Sequence, residues 1–524
     1  MNRKRENTFL SVTRKTFRIL VRGIFYFLVL LAILILLLYI PPIQHLITNK
    51  AEQLLAKKLQ TEVHIGAINL NLLGNLVVKD VYIKDPHDHK VFEVEAINTE
   101  IDVLPLILKK IHLDHLNVSG LKTSLTIDPA RNISNIDFII SAFSSETPQN
   151  KSGSGKWDFF VAEIGLERSY FSLNISGRME LSVDLGNVSL NSNATDLDKM
   201  DFDVRSISIG DTDVILKMWD DTISNNQKVP TKPETKGNQN SNVSAKVNRI
   251  EISNSSFELE LKEVLHLIAG IGDFEGKIID FNLLDHLFRA EGLELQHSQT
   301  RIDYPTMTQD DTRNQETTDT IPAESSISKD LFINNFNWNI SSNRTRLVDC
   351  EFDLFQTSKA DQEEMVFPDD ILLKKINISL DNTVLARQKM GTKINTFQFF
   401  MDEGIGLKGI NGELDYQNNQ FLFKDLAIET LSSQLLIDAV LSLDTARKLG
   451  DDPAPTEFNI ADLQLELHRK DLDFFLDDNI LKEAEVQHLS LKSKMEGSLD
   501  DFQIREFQFA GDEDILLDMN GRIR

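Results

Sequence analysis

From residue 61 onward apolar and polar positions alternate with a period of two, as in Ile68-Leu70-Leu72, Leu435-Ile437-Ala439-Leu441-Leu443 and Leu463-Leu465-Leu467. Such alternation predicts half-buried β-strands with one apolar face. A longer pattern places apolar residues at offsets 0, 2, 7, 9 and 11 around a polar tetrad. Ile164, Leu166, Phe171, Leu173 and Ile175 fit it, apart from Tyr170 in the tetrad. So do Ile207, Ile209, Val214, Leu216 and Met218 around Gly210-Asp211-Thr212-Asp213, and Ile250, Ile252, Phe257, Leu259 and Leu261 around Ser253-Asn254-Ser255-Ser256. Weaker copies are Leu293, Leu295, Ile302 and Tyr304 with Thr300, Leu426, Ile428, Leu435 and Ile437 with Ser433, and Leu116, Val118, Leu125 and Ile127 with Thr123. A hairpin with a four-residue loop pairs offset 2 with 7 and 0 with 9, so these side chains share a face. Copies start at 164, 207, 250 and 293, and Phe336-Trp338 continues the step of 43 weakly. The reading is a series of hairpins in one continuous sheet.

Two helical patterns precede the strands. Gly23–Ile40 (GIFYFLVLLAILILLLYI) is uncharged and spans roughly 27 Å as a helix, about the hydrocarbon thickness of a bilayer. Pro41-Pro42 and a fresh pattern follow it, and no small-residue cleavage site, which favours an anchor over a signal peptide. Arg3, Lys4, Arg5, Arg14, Lys15, Arg18 and Arg22 precede the span, and no basic residue follows until Lys50. This orients residues 1–22 to the cytoplasm and everything from Pro41 outward. Ile43, Leu46, Ile47, Ala51, Leu54, Leu55 and Leu59 then predict one amphipathic helix, with Lys50, Lys57 and Lys58 off its apolar face. Ser144–Lys156, Thr222–Val243 and Pro305–Ser328 have no period and read as disordered loops. Short helices are predicted at Ile133–Phe143 and Lys470–Glu483. The alternating strand at Asp512–Arg524 has no closing element after it, which predicts an N-terminal piece of a longer chain. A reading frame that stops at Arg524 would refute this.

Composition narrows the function. The 524 residues carry a net charge of −26 while residues 1–22 are basic, so the rest is strongly acidic. Such a body is a poor nucleic-acid binder. One cysteine, Cys350, excludes a disulfide framework and multi-cysteine metal sites. Phe outnumbers Tyr and Trp, 31 against 6 and 3, which suits a surface meeting hydrocarbon. Asp85, His87, Asp88 and His89 in DPHDHK, and His112, Asp114 and His115, resemble metal ligands. The plainer readings are a solvated turn between Val81–Ile83 and Val91–Glu93, and an alternating strand. No nucleophile elbow, P-loop, G-x-G-x-x-G turn or H-E-x-x-H helix occurs. The expectation is a non-enzyme without cofactor, nucleotide or metal.

Residues 24–143 carry G-x-I-x-L-x-L at Gly66–Leu72, an l-x-l-x-D-v-x-I-x-D stretch at Leu76–Asp85 and L-x-V-x-G at Leu116–Gly120. With the late segment Leu489–Gly521, this layout resembles the AsmA-like superfamily, especially TamB-like proteins of Gram-negative envelopes. The long loops at 222–243 and 305–327, and the absence of that family's C-terminal domain, depart from the pattern. The resemblance implies a taco-shaped sheet with an apolar groove bridging inner and outer membranes. It further implies phospholipid transport and an Omp85-type partner in barrel assembly.

The expected fold is mainly β: an N-terminal transmembrane helix, then an elongated, curved antiparallel sheet with an apolar groove and few helices. The divisions are a basic head at 1–22, the span at 23–40, an AsmA-like region at 41–143, a loop at 144–156 and the β-groove at 157–524. Expected groove positions are Ile68, Leu70, Leu72, Ile164, Leu166, Phe171, Leu173, Ile207, Ile209, Val214, Leu216, Ile250, Ile252, Phe257, Leu259, Leu261, Leu426, Ile428, Leu435 and Ile437. The leading expectation is a passive conduit whose partners are membrane lipids. The alternatives are an assembly factor that templates client strands, and a structural sandwich with a dry core.

Overall fold

The computed structural model describes residues 25, 26, 29, 37, 40–71, 74–101, 110–129, 131, 133–143, 158–196, 201–219, 244–261, 265–282, 286–304, 338–356, 370–401, 406–442, 457–471, 487–498, 500–512 and 515–524. The expected loops at 144–156, 222–243 and 305–328 lie outside them, as does nearly all of the span at 23–40. No helix among the described residues is long and apolar enough to cross a membrane. The fold is mainly β and divides into two units: residues 1–176 with 182–197, and residues 177–181 with 198–524.

The first unit contains α1 (Pro41–Leu59), β1 (Val63–Leu70), β2 (Asn75–Lys84), β3 (Lys90–Glu100), β4 (Lys110–Ser119), β5 (Lys122–Asp128), β6 (Ile133–Ser134), α2 (Asp137–Phe143) and β7 (Asp158–Ile175). From Ser182 onward, β8 (Met179–Asp196) also belongs to it. β1, β2 and β3 form an antiparallel meander, and β4 and β5 both run parallel to β7. β4 and β5 are thus one strand interrupted at Gly120. Its φ is 65°, and a Cβ there would lie 2.4 Å from Glu95 Cγ, so a larger residue would strain the backbone and displace the Glu95 side chain.

α1 turns its polar side to the sheet. A β-strand edge needs partners for its backbone groups, and the helix supplies them. Gln44 Nε2 donates to Leu70 O at 2.6 Å. Thr48 Oγ1 and Glu52 Oε2 each accept, at 3.1 Å, from the N–H groups of Ile68 and Ile65. The helix expected through Ile43, Leu46, Ile47, Ala51, Leu54, Leu55 and Leu59 forms, but these apolar positions are not its buried side. Leu59 is buried, but Leu46 and Leu54 are 64% and 63% exposed.

The β2–β3 connection is the turn read from DPHDHK. Asp85 Oδ1 accepts from the N–H groups of His87 and His89 at 2.8 and 2.9 Å. Burial pushes this carboxyl's pKa up, but the His89 and His87 N–H groups outweigh it and hold the carboxyl below its ordinary 3.8. Asp85→Ala is expected to cost about 2 kcal/mol by leaving two turn donors unpaired. A depressed folded pKa stabilises above the unfolded value, and that stability is lost as pH falls through the folded value. Urea unfolding should show the gap between wild type and Asp85→Ala narrowing from pH 7 to about pH 3.

The second unit holds β9 (Asp201–Met218), β10 (Ser244–Val247), β11 (Arg249–Leu261), β12 (Leu265–Asn282), β13 (Leu287–Gln296), β14 (Gln299–Tyr304), β15 (Asn339–Gln356) and β16 (Asp370–Ala386). It continues with β17 (Lys389–Phe400), β18 (Gly406–Gln417), β19 (Gln420–Thr430), β20 (Gln434–Ser442), β21 (Glu457–His468), β22 (His488–Ser498), β23 (Asp501–Gly511) and β24 (Ile515–Ile523). β11 runs parallel to β9, and β13 and β14 run parallel to β15. β12 is antiparallel to its neighbours, and β15 to β24 form an antiparallel meander. Pairing is therefore mixed, and the expected wholly antiparallel sheet is corrected. Parallel neighbours cannot be joined by a tight turn and need a long connection. The three aperiodic stretches of sequence fall in the β5–β7, β9–β11 and β14–β15 connections.

The serial hairpins are corrected too. The tetrads 167–170, 210–213 and 253–256 are not turns, because β7, β9 and β11 run straight through them. Offsets 2 and 7 differ by an odd number, so a regular strand would put them on opposite faces. The chain resolves this with one left-handed residue per strand: Arg168, Asp211 and Asn254 have φ of 47°, 51° and 43°. The step of 43 is the parallel register itself, with Ile250 beside Ile207 and Leu259 beside Leu216. The next parallel neighbour of Leu293 is Thr345, a different step, and Phe336 lies outside the described residues. A hairpin does join β19 to β20, with Ile428 opposite Leu435 and Leu426 opposite Ile437, two residues from the expected register.

Candidate functional site

A small side chain follows the left-handed residues Arg168, Asp211, Asn254 and His297 (φ 50°), whereas Ile376 and Leu426 follow Lys375 and Asp425. Ser169, Thr212, Ser255 and Ser298 are buried, and each hydroxyl donates to the carbonyl two residues earlier, at 3.1, 3.1, 2.8 and 3.3 Å. Cys350 fills the same place after Asp349 (φ 51°), its Sγ 3.6 Å from Val348 O. These kinks hold apolar residues on both sides of the bend on one face.

Cross-strand pairing then aligns the residues into rows. One row in the second unit runs Ile209, Ile252, Phe274, Leu295, Leu347, Ile378 and Phe397. Beyond the kink another runs Leu216, Leu259, Leu267, Ile302, Leu354 and Ile371. Later in the chain a third runs Ile410, Ile428, Leu435, Leu465, Leu491, Phe509 and Leu517. At ~4.8 Å between strands, seven strands extend about 29 Å. Apart from Leu517, which is 44% exposed, the members of these rows are half-buried. Core side chains such as Val91 and Tyr416 are at 1% and 0%.

The intervening positions carry charge. Lys217 meets Glu260 at 3.0 Å, Arg249 meets Glu275 at 3.2 Å, and Arg301 meets Asp353 at 3.5 Å. The Glu260 carboxylate, by its hydrogen bond and its charge, holds the Lys217 ammonium above its ordinary pKa. Exposed pairs of this kind add little stability, and they keep this face wet. One polar group interrupts a neighbouring apolar row. Ser493 lies between Leu463 and Phe507, fully buried, and its hydroxyl has no hydrogen-bond partner among the described residues.

The expected positions sort clearly. Ile207, Ile209, Val214 and Leu216 pair with Ile250, Ile252, Phe257 and Leu259, and Leu261 pairs with Met218. Ile164 and Leu166 pair with Leu116 and Val118, and Phe171 and Leu173 with Thr123 and Leu125, all within the first unit. Ile68 and Leu70 pair with Val78 and Leu76, and Leu72 lies outside the described residues. Leu426, Ile428, Leu435 and Ile437 share the β19–β20 hairpin. The expected list omitted Phe274, Leu267, Leu347, Leu354, Ile378, Leu465 and Phe509. Their alternation was visible, but their places in the rows follow from pairing.

Among the described residues no three His, Cys, Asp or Glu side chains converge as a metal site. No curated protein and no solved structure matches the chain. Residues 13–217 match the family model of the AsmA family, and this similarity over about two-fifths of the chain supports a place in the AsmA-like superfamily.

Proposed function

We propose that this chain is a TamB-like protein of the inner membrane that offers phospholipid acyl chains an apolar path between the inner and outer membranes. In this reading residues 23–40 anchor it once, with the basic head in the cytoplasm and the strands in the periplasm. The observation that carries the reading is the run of half-buried apolar side chains across six or seven successive strands. A dry sandwich core would bury such rows completely. Each methylene kept from water is worth about 0.8 kcal/mol, so a continuous apolar path lowers the barrier to moving a two-chain lipid. The similarity to the AsmA family over residues 13–217 agrees with lipid as cargo.

A second reading, strand templating for barrel proteins with an Omp85-type partner, draws on β24. Its Leu516 is 81% exposed. A photoreactive benzophenone side chain placed in living cells at Leu259, Ile252 or Leu465 separates the readings. Phospholipid adducts there, and none at the neighbouring Glu258 or Glu466, are the expected result. Polypeptide adducts would favour templating. Adducts confined to the chain itself would favour a sealed core.

A further inference from the structure

The outward side of α1 has no role in capping the sheet. Gln44, Thr48 and Glu52 point at β1, which leaves Leu46, Lys50, Leu54 and Lys57 to recur at i, i+4, i+8 and i+11 on the far side. All four are exposed, and Ile47 beside them is 36% exposed. Glu52, the only acid in the helix, faces the sheet with its carboxylate on the Ile65 N–H. The side is therefore apolar and cationic in a chain of net charge −26.

We propose that this side of α1 docks flat on an anionic phospholipid surface. The leucines enter the headgroup boundary while the lysine stems run along them and lift their ammonium groups to the phosphates. Charge complementarity selects the occupant. An acidic bilayer matches Lys50 and Lys57 and offers hydrocarbon to Leu46 and Leu54, whereas the same side of a second copy would set these lysines against their own counterparts. Position agrees, since α1 starts at Pro41, directly after the uncharged run Gly23–Ile40. The proposal rests on the membrane anchoring in the reading above and not on lipid passage along the rows. It also gives a reason for the reversed helix: polar residues go to the sheet edge because the apolar ones have lipid to cover them.

The test uses the full chain in a Cys350→Ser background, reconstituted in vesicles of phosphatidylcholine alone or with one-third phosphatidylglycerol. An environment-sensitive dye at Leu46→Cys or Leu54→Cys reports quenching by spin-labelled lipid. Each lysine near an anionic surface favours the docked state roughly fivefold. Quenching should therefore be strong with phosphatidylglycerol, weak without it, and abolished by Lys50→Glu with Lys57→Glu. Those charge changes leave the sheet-edge bonds of Gln44, Thr48 and Glu52 in place. Equal quenching in both vesicles would overturn the match to anionic lipid. Protein that floats with the vesicles without quenching at either position would overturn docking but leave the anchor standing. Protein that floats with neither vesicle would overturn both.

Discussion

Gly272→Val is expected to lower the stability of the second unit by about 3 kcal/mol or more, whereas Gly292→Ala should change it by no more than about 0.5 kcal/mol. Gly272 lies on β12 between two kinked neighbours. The pairs Ser253–Asp273 and Ser255–Ile271 place it opposite Asn254, and the pairs Asp273–Gln296 and Gly270–Gln299 place it opposite His297. Asn254 and His297 are left-handed, at φ 43° and 50°. The bend brings backbone inward, so a Cβ on Gly272 would sit 2.6 Å from the carbonyl oxygens of both Gln296 and His297. Backbone cannot step aside as a flexible side chain can. Relief requires β12 to part from β13, losing cross-strand hydrogen bonds worth about 1 kcal/mol each. A Cβ on Gly292 would meet nothing within 4 Å. Urea unfolding of the purified variants, followed by circular dichroism, reads the difference. Equal midpoints for the two variants would show that the bend does not depend on this close approach.

The same bend marks where the sequence was legible and where it was not. The step of 43 from Ile207 to Ile250 and from Ile209 to Ile252 is present in the sequence, but a hairpin in each copy would pair Ile207 with Leu216, whereas the sheet pairs it with Ile250. The odd interval from offset 2 to offset 7 has two physical solutions, a reversing turn or a single left-handed residue. Gly210-Asp211-Thr212-Asp213 and Ser253-Asn254-Ser255-Ser256 have the composition of turns, because Asp and Asn serve both solutions. What decides between them is the partner strand, and alternation along one strand carries no information about that. Which side of α1 is buried was not legible for a related reason. Its hydrophobic periodicity is real, but the demand for polar groups comes from the unpaired edge of β1. The Asp85 turn needed no such partner, since its two donors lie two and four residues away, and it was read correctly. The three long connections were recognised as aperiodic, while their necessity follows from parallel pairing.

Leu259→Asp should slow phospholipid transfer about 30-fold while leaving the protein folded. Leu259 stands second in its row of six, between Leu216 on β9 and Leu267 on β12. A carboxylate there keeps its water and denies contact to two or three methylenes of a passing acyl chain. At about 0.8 kcal/mol each this raises the local barrier by roughly 2 kcal/mol, and each 1.36 kcal/mol is tenfold in rate. The half-buried position lets the carboxylate reach solvent, so the stability cost stays below that of a charge in a closed core. Leu259→Ala keeps the row apolar and should slow transfer only a few-fold. Glu258→Gln alters the adjacent position, where His266 Nε2 lies 3.0 Å from the carboxylate, and should leave transfer unchanged. Transfer of a fluorescent phospholipid between donor and acceptor vesicles, with circular dichroism as the check on folding, measures all three. If folded Leu259→Asp transferred lipid at the wild-type rate, hydrocarbon would not be travelling along this row. The ion-paired face offers acyl chains no comparable contact, so the conduit would then fall and strand templating at β24 would become the stronger reading.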